Sequence, residues 1–381
     1  MISHPRHRAG LDALAARDRL RARAPAVGLD FASNDYLGLA GSDLLKQAAL
    51  DALDRGVPVG SSGSRLLRGN HPEHEALEQE AAAFFGAEAA LFIGGGFQAN
   101  HALFSALPMQ GDLVLYDALI HASAHDGMRL GRAETRPFAH NDVAVAEAEI
   151  LSWRAGGGTG RVWLAVESLY SMEGDLAPLD QLAALARGHD AVLVVDEAHA
   201  TGLFGPMGAG RALSQPHDPN LLTLHTCGKG LGAAGALICG DAVLIETLVN
   251  KARPFIFATA PSPLNAAVVR ASLAALRDRP DLRERAWTRI AHAHAEAKRL
   301  CGLNGFESQI LPVRIGADGA DGAAVAVART LQSRGYDVRA VRPPTVPKGT
   351  ARLRISLTGV ADQAAVTGLF EILSDVGSAY L

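Results

Sequence analysis

Short apolar runs separated by helix-length segments dominate the chain between residues 75 and 245. Each run holds four or five residues that are nearly all hydrophobic, and polar or glycine-rich stretches bound it. Such runs, without alternation of apolar and polar positions, are typical of strands buried on both faces. The pattern therefore predicts a largely parallel sheet flanked by helices, with strands at 89–93, 113–116, 162–166, 191–195, 221–224 and 236–239.

Helical patterns lie between and before these runs. Apolar positions at helical spacing predict helices at 73–85 and 179–189. The basic N-terminal stretch predicts an amphipathic helix whose Leu11, Leu14 and Leu20 face inward. The segment that follows it reads as a short strand breaking into a turn.

The C-terminal part of the chain has a different pattern. A charged helical stretch at 281–300 precedes shorter segments at 310–315, 325–334, 337–341, 353–357 and 361–373, which predict a smaller α+β domain. We therefore expect an α/β protein with an N-terminal helix and short strand at 1–40, a large sheet domain at 41–280 and a small domain at 281–381.

Composition narrows the class of protein. The chain has 381 residues, of which 48% are hydrophobic and 20% charged, as in ordinary globular proteins. A formal net charge of −4 argues against a nucleic-acid-binding surface. Cys227, Cys239 and Cys301 lack CxxC spacing, so we expect a reducing compartment and no metal site. With no apolar run that spans a bilayer, and with Asp12 and Asp18 interrupting the basic N-terminus, we expect a cytoplasmic protein without a membrane partner.

Two residues at strand ends indicate a specific cofactor. Lys229 stands in His225-Thr-Cys-Gly-Lys-Gly-Leu-Gly, and Asp196 ends an earlier apolar run. A buried carboxylate is costly unless it is paired, and a protonated pyridine nitrogen is a suitable partner. A lysine among small uncharged residues can form a Schiff base with an aldehyde. The pair predicts pyridoxal 5'-phosphate bound covalently to Lys229, although a helix N-cap at Asp196 and a solvated Lys229 remain alternatives.

Other strand ends carry residues compatible with the same cofactor. Ligands of open α/β sheets bind beyond the carboxyl ends of the strands. The glycines of Gly94-Gly-Gly-Phe-Gln would let backbone N–H groups approach a phosphate, although a plain turn explains them as well. His121 could stack on the cofactor ring and Ser171 could bond its hydroxyl, but each alone is more often structural. His199 and Thr226 could face the ring and the phosphate.

From Phe31-Ala-Ser-Asn-Asp-Tyr-Leu-Gly-Leu to Ala351-Arg-Leu-Arg-Ile-Ser-Leu-Thr, the chain resembles the α-oxoamine synthases, which are fold-type I pyridoxal phosphate enzymes. These enzymes couple an amino acid to an acyl thioester with loss of carbon dioxide. Phe138-Ala-His-Asn-Asp and Arg342-Pro-Pro-Thr-Val-Pro-Lys-Gly are most similar to the members that use L-alanine and a pimeloyl thioester in biotin synthesis. The resemblance implies a fold-type I transferase that forms a homodimer with shared active sites. Its acyl group would arrive on coenzyme A or on an acyl carrier protein.

The resemblance also implies roles for individual residues. The catalytic residues would be Lys229, His121 and Asp196. The cofactor would contact Gly96, Phe97, His121, Ser171, Asp196, His199, Thr226 and Lys229, with Thr259 supplied by the neighbouring subunit. Arg354 and Asn34 match positions at the amino-acid carboxylate, which a guanidinium binds through two parallel bonds. The remaining substrate contacts would come from Arg21, His121 and Thr345, and no metal is implied.

Three other functions remain open. A member of the same family could instead join glycine to acetyl-CoA, because sequence reports pocket shape poorly. A non-catalytic partner subunit would keep the fold, but the intact Lys229, Asp196 and His199 argue against it. Nucleotide binding by Gly205-Pro-Met-Gly-Ala-Gly-Arg is weak, since this segment lacks a GK[ST] sequence and follows no apolar strand.

Overall fold

The structure is a computed structural model that describes residues 4–23, 25–214, 218–316 and 321–377. By their internal packing the residues form two compact units. The large unit holds residues 35–171 and 175–284, and the small unit combines 1–34, 172–174 and 285–381. The domain boundaries expected near residues 40 and 280 remain predictions from the sequence.

The strands and helices of the described residues are as follows. The strands are β1 (Leu29–Asp30), β2 (Ala89–Ile93), β3 (Leu113–Asp117), β4 (Glu134–Phe138), β5 (Val162–Glu167), β6 (Val192–Asp196), β7 (Leu221–Thr226), β8 (Ala236–Gly240), β9 (Ile310–Arg314), β10 (Tyr336–Asp337), β11 (Arg339–Val341) and β12 (Arg352–Ser356). The helices are α1 (Pro5–Ala15), α2 (Asp43–Asp54), α3 (Pro72–Phe84), α4 (Gly96–Ala106), α5 (Ala122–Leu130), α6 (Val143–Ala155), α7 (Leu179–Gly188), α8 (Ala242–Lys251), α9 (Arg253–Ile256), α10 (Pro263–Asp278), α11 (Pro280–Cys301), α12 (Asp321–Ser333) and α13 (Gln363–Gly377).

A seven-stranded mixed sheet forms the centre of the large unit. Its strand order is β2-β8-β7-β6-β5-β3-β4. The strands β7, β6, β5, β3 and β4 pair in parallel, whereas β8 is antiparallel to both of its neighbours. The predicted mostly parallel sheet is therefore confirmed, and all six predicted strands are present.

One strand of this sheet, β4, has no counterpart in the predicted pattern. Its sequence Glu-Thr-Arg-Pro-Phe is polar, and only Phe138 is buried. It lies at the edge of the sheet, where one side needs no pairing partner and a proline is tolerated. Because only its last residue is buried, β4 lacks the apolar run by which the other six strands are recognised, β2 at the opposite edge included.

Both faces of the sheet are covered by helices. On one face, Leu103 and Phe104 of α4 and Leu248 of α8 pack in a core with alternate strand residues such as Val194. On the other, α6 and α7 form a second core with the intervening residues, among them Leu193 and Val195 of β6. Successive side chains of a strand point to opposite faces, so a run of five apolar residues supplies both cores.

The small unit is an α+β arrangement. Its three-stranded antiparallel sheet has the order β11-β12-β9, and α12 and α13 pack against each other. The N-terminal β1 pairs in parallel with β10, through Leu29 with Tyr336 and Asp30 with Asp337. This pairing explains why the N-terminal segment shares a unit with the C-terminal one.

The N-terminal helix forms, but its leucines are not buried. Leu11 and Leu14 are 45% and 42% exposed, and α1 contains no buried residue. Leu20 lies beyond the end of the helix at Ala15 and is 49% exposed. The prediction that they face inward is wrong for the single chain. A leucine is fully buried only where another apolar surface packs on it, and in the described residues these three side chains stay more than two-fifths exposed. In the same ranges, no helix has the length and apolarity needed to cross a bilayer.

Candidate active site

Polar residues end four neighbouring parallel strands of the large unit. Asp117 ends β3, Glu167 ends β5, Asp196 ends β6 and Thr226 ends β7. Glu167 and Asp196 lie opposite each other in register. Because parallel strands have their carboxyl ends at the same edge of a sheet, these side chains gather at one edge. The predicted location of the site at this edge follows from the topology.

Lys229 and His199 lie in contact at this edge. The Nζ of Lys229 is 2.8 Å from Nε2 of His199, and Nδ1 of His199 is 2.6 Å from the hydroxyl of Tyr36. The turn that carries Lys229 is closed by the N–H of Gly232, which donates to the Lys229 carbonyl. Tyr36 did not emerge from sequence analysis, although the motif that contains it did.

The carboxylate of Asp196 is buried and held by two donors. Its Oδ1 accepts the N–H of Ala198 at 3.0 Å, which closes the turn after β6. No described helix begins at this turn, so Asp196 is not the helix N-cap that was the alternative. Its Oδ2 accepts from Nδ2 of Asn100, also at 3.0 Å. One carboxylate oxygen of Asp196 therefore closes its own turn, and Asn100 of α4 orients the other oxygen. Asn100, four residues and about one helical turn after Gly96, was missed by sequence reasoning.

A hydrogen-bonded line connects Asp196 with His121. Asn100 Nδ2 also donates to Oγ of Ser123 at 2.9 Å, and that Oγ is 2.7 Å from Nδ1 of His121. Desolvation lowers the pKa of His121; the charge of Asp196 opposes this effect and that of Lys229 adds to it. The imidazole is therefore neutral at pH 7, a state that suits stacking on an aromatic ring.

Glu167 is a buried acid that sequence analysis did not identify. Burial, and then the neighbouring charge of Asp196, raise the pKa of its carboxyl to about 8. Its Oε2 accepts the backbone N–H of Ser171 at 3.1 Å, whereas Oε1 has no hydrogen-bond partner among the described residues. At neutral pH this carboxyl is mostly protonated and adds little negative charge beside Asp196.

The start of α4 forms a cradle suited to a phosphate. The helix begins at Gly96, and its N-cap Gly95 offers no side chain to the first N–H groups. A Cβ added to Gly96 would lie 2.4 Å from Cγ2 of Thr226, so only glycine leaves space between this helix and the end of β7. An uncapped helix start beside a threonine is a favourable anion site.

The donor set as a whole fits pyridoxal phosphate. An amine, a carboxylate for the pyridine nitrogen, a flat neutral imidazole and an anion cradle occur together at one sheet edge. Of the other predicted contacts, Ser171 is buried beside Glu167, while Phe97 and Thr259 are exposed. No described cluster of three or more His, Cys, Asp or Glu side chains is placed to hold a metal ion.

The predicted substrate residues form two pairs in the small unit. Arg354 of β12 is buried, and its Nη2 donates to Oδ1 of Asn34 at 3.1 Å while Nη1 donates to Oγ of Ser356 at 2.6 Å. Arg21 donates to Oγ1 of Thr345 at 3.3 Å on the surface. Within this unit the residues expected at the amino-acid carboxylate are together, and so are those expected at the acyl group.

Comparison with known proteins identifies the family. The aminotransferase class I and II family matches residues 26–370. An 8-amino-7-oxononanoate synthase of Anaeromyxobacter dehalogenans strain 2CP-1 is 40% identical, over 96% of this chain and 93% of that protein. The chain belongs to the 8-amino-7-oxononanoate synthase family. A Chromobacterium violaceum protein with the same description is also 40% identical, over 96% of both chains.

Solved structures agree with this family. An 8-amino-7-oxononanoate synthase of Francisella tularensis has a TM-score of 0.76 at 26% identity and covers 91% of this chain and 97% of that one. A serine palmitoyltransferase of S. paucimobilis, with a bound pyridoxal phosphate–myriocin aldimine, has a TM-score of 0.86 at 27% identity over 99% and 98%. The predicted fold-type I architecture and pyridoxal phosphate cofactor are thereby confirmed. The chain is a pyridoxal-phosphate-dependent acyltransferase.

Proposed function

We propose that the chain condenses L-alanine with a pimeloyl thioester, releasing 8-amino-7-oxononanoate, carbon dioxide and the free thiol carrier in biotin synthesis. The observation that carries this proposal is the Lys229–His199 pair at one sheet edge with the line from Asp196 to His121. Relatives named for this reaction share 40% of their residues with the chain over nearly its whole length. When bound, pyridoxal phosphate supplies an electron sink for the carbanion of the amino acid.

Lys229 has two tasks in this proposal. Its Nζ would hold the aldehyde of the bound cofactor, and as a free amine it would remove the α-proton of the amino acid. His199, at 2.8 Å, fixes the direction of Nζ, and the hydroxyl of Tyr36 fixes the ring of His199. A positioned base contributes more than a mobile one because its orientation is set before the reaction.

Asp196 and His121 would have different roles toward the cofactor ring. Asp196 keeps the pyridine nitrogen protonated, and its two donors prevent it from turning away. The N–H of Ser123 donates to Nδ1 of His121 at 3.2 Å, so the neutral imidazole carries its proton on Nε2. The Nε2–H of His121 could then donate to a substrate carbonyl oxygen, and the neutral ring could stack on the cofactor.

The other predicted residues supply binding. The remaining residues that would hold the cofactor are Gly96, Phe97, Ser171, His199 and Thr226. The pair Arg354 and Asn34 binds the carboxylate of alanine through the guanidinium. The pair Arg21 and Thr345 contacts the acyl chain, which arrives on coenzyme A or an acyl carrier protein.

A homodimer with shared active sites completes the proposal. Leu67 and Phe257 are 81% and 70% exposed, and the leucines of α1 are uncovered in the single chain. Large exposed apolar side chains are typical of surfaces that a second copy covers. Thr259, two residues from Phe257, would then reach the phosphate of the partner's site. The three free cysteines suit a reducing cytoplasm.

A substrate panel on the cofactor-loaded protein tests the proposal. L-alanine, glycine and L-serine would each be combined with pimeloyl-CoA or acetyl-CoA, with thiol release and the amino ketone product measured by absorbance and mass spectrometry. We expect turnover with alanine and pimeloyl-CoA, and none in Lys229→Ala. Turnover only with glycine and acetyl-CoA would assign the other branch of the family. A protein without visible cofactor absorbance would be a non-catalytic subunit.

A further inference from the structure

A second polar cluster lies at the same sheet edge and has no part in the proposed reaction. Its centre is His140, in Phe138-Ala-His-Asn-Asp. Nδ1 of His140 lies 2.9 Å from Oδ1 of Asp117, and Nε2 lies 2.8 Å from Oδ2 of Asp175. The ring of Tyr170 packs edge-on against the imidazole, with centroids 4.4 Å apart. His140 thus bridges two carboxylates within the large unit.

The inner carboxylate, Asp117, holds the turn that leads to His121. Asp117 is fully buried at the end of β3, and its Oδ1 accepts the N–H of Leu119 at 2.8 Å. Its Oδ2 accepts the N–H of Asn141, also at 2.8 Å. The Asp117 carbonyl accepts the N–H of Ile120, so the turn 117–120 is closed twice by the same residue. His121 is the next residue and the N-cap of α5.

This arrangement needs a positive charge beside Asp117. Burial opposes ionisation of Asp117, but the hydrogen bonds from His140 and from the backbone keep the pKa of its carboxyl below the usual value. Burial likewise lowers the pKa of His140, and the bonds to Asp117 and Asp175 outweigh it and raise that pKa to about 10. A buried carboxylate that lost its charged partner would protonate or move toward water.

We propose that His140 is a positioning residue, which places His121 by holding Asp117 and thereby the turn 117–120. The hydrogen bonds behind this proposal all lie within the large unit. Only the expected change in kcat rests on the proposed function. His140 touches neither substrate nor cofactor in this proposal; it acts through the backbone that presents His121. A histidine with a merely structural role would change stability without moving this turn or the rate of the reaction.

The variant His140→Gln tests the proposal, because glutamine keeps an N–H donor and removes the charge. The matched control is His189→Gln, since His189 also faces a carboxylate, that of Glu147 at 3.6 Å, on a different part of the large unit. Hydrogen–deuterium exchange of peptide 117–124 in the cofactor-free protein would be compared with peptide 221–226. We expect faster exchange only in the first peptide, and only in His140→Gln.

Kinetics give the second measurement. We expect kcat of His140→Gln to fall by about tenfold or more, as for residues that orient a functional side chain, while KM for alanine changes much less. His189→Gln should keep the wild-type kcat. Combining Asp175→Asn with His140→Gln should lower kcat no further than His140→Gln alone, because both changes abolish the same ion pair.

Several results would overturn the proposal. They are wild-type exchange in peptide 117–124 of His140→Gln, an equal loss of kcat in His189→Gln, or additive losses in the double variant. If His140→Gln does not fold, Asp175→Asn serves instead; it removes the outer carboxylate, and a faster exchange of 117–124 is again required. If the wild type does not turn over alanine and pimeloyl-CoA, the proposed function fails, and the exchange measurement still decides the role of His140.

Discussion

The amine of Lys229 and the imidazole of His199 lie 2.8 Å apart at the edge of the sheet, although 30 residues separate them in the chain. The histidine belongs to the turn after β6 and the lysine to the turn after β7, and these strands are neighbours in the sheet. His199 is also bonded to Tyr36, 163 residues away. The direction of the reactive amine thus depends on three separate parts of the large unit.

We expect Tyr36→Phe to lower kcat by about 2- to 10-fold, since a neutral hydrogen bond contributes about 0.5–1.5 kcal/mol. The change removes the hydroxyl at 2.6 Å from His199 and leaves the ring in place. Steady-state kinetics with alanine and pimeloyl-CoA would measure the effect. Tyr116→Phe, the same substitution elsewhere in the large unit, is the control. Equal rates for both variants and the wild type would contradict the role of Tyr36.

Asn100→Ala removes the donor shared by Asp196 and Ser123. A hydrogen bond to a charged group contributes about 1.5–3 kcal/mol, so we expect kcat/KM to fall by about 10- to 100-fold. Asn100→Asp should be worse, because it places a second carboxylate about 3 Å from Asp196. Cofactor titration by fluorescence and steady-state kinetics would measure both variants. Wild-type cofactor affinity in Asn100→Asp would contradict this account.

The contact between Gly96 and Thr226 can be tested by a compensating pair. Gly96→Ala would place a methyl group 2.4 Å from Cγ2 of Thr226, and we expect at least tenfold weaker cofactor binding, or about 1.4 kcal/mol. Thr226→Ser removes that Cγ2 and keeps the hydroxyl. The double variant should therefore bind the cofactor more tightly than Gly96→Ala alone, as measured by equilibrium dialysis. Independent, additive losses would show that the clash is not the cause.

The ion pairs of His140 predict a pH dependence of stability. The folded-state pKa of about 10 exceeds the unfolded value of about 6.5, so the stabilisation is fully present below pH 6.5 and is lost as pH rises toward 10. Asp117, Asp175 and the ring of Tyr170 face this imidazole. Urea unfolding of the wild type and His140→Gln would give the difference in free energy at each pH. Glu167 titrates in both proteins, so its contribution cancels in the difference between their free energies of unfolding. If that difference stayed constant from pH 6 to 10, the prediction would be contradicted.

The sequence predicted the fold and the site best where a strand is buried on both faces and a charged or reactive residue stands at its end. Strands β5, β6 and β7 were predicted because both of their faces are buried. Asp196 was predicted because a charge at the end of such a strand needs a partner, and Lys229 because its neighbours are small and uncharged. The edge strand β4 lacks that signal. The direction of the α1 leucines was predicted wrongly, since the pattern shows that a face is apolar and not what covers it.

The orienting residues of the site were harder to predict. Asn100 reaches Asp196 from a helix 96 residues earlier, and Tyr36 reaches His199 from a turn near the N-terminus. Amides and phenols are common at many positions, so only the fold reveals that these two point at functional groups. His140 was singled out only as part of a family-like motif, and its link to His121 passes through backbone bonds that carry no residue signature.

The parallel sheet edge has a consequence for how the protein acquires its activity. Each parallel pairing among β3, β5, β6 and β7 joins strands whose connecting segment must first cross a face of the sheet. Such non-local pairings form slowly during folding, and the edge with Lys229 and Asp196 exists only when all of them are complete. We therefore expect the cofactor to bind late on the folding path and to stabilise only the finished sheet, by a free energy that rises with the logarithm of its concentration. Recovery of cofactor absorbance after dilution from urea would time the last step of assembly of the large unit.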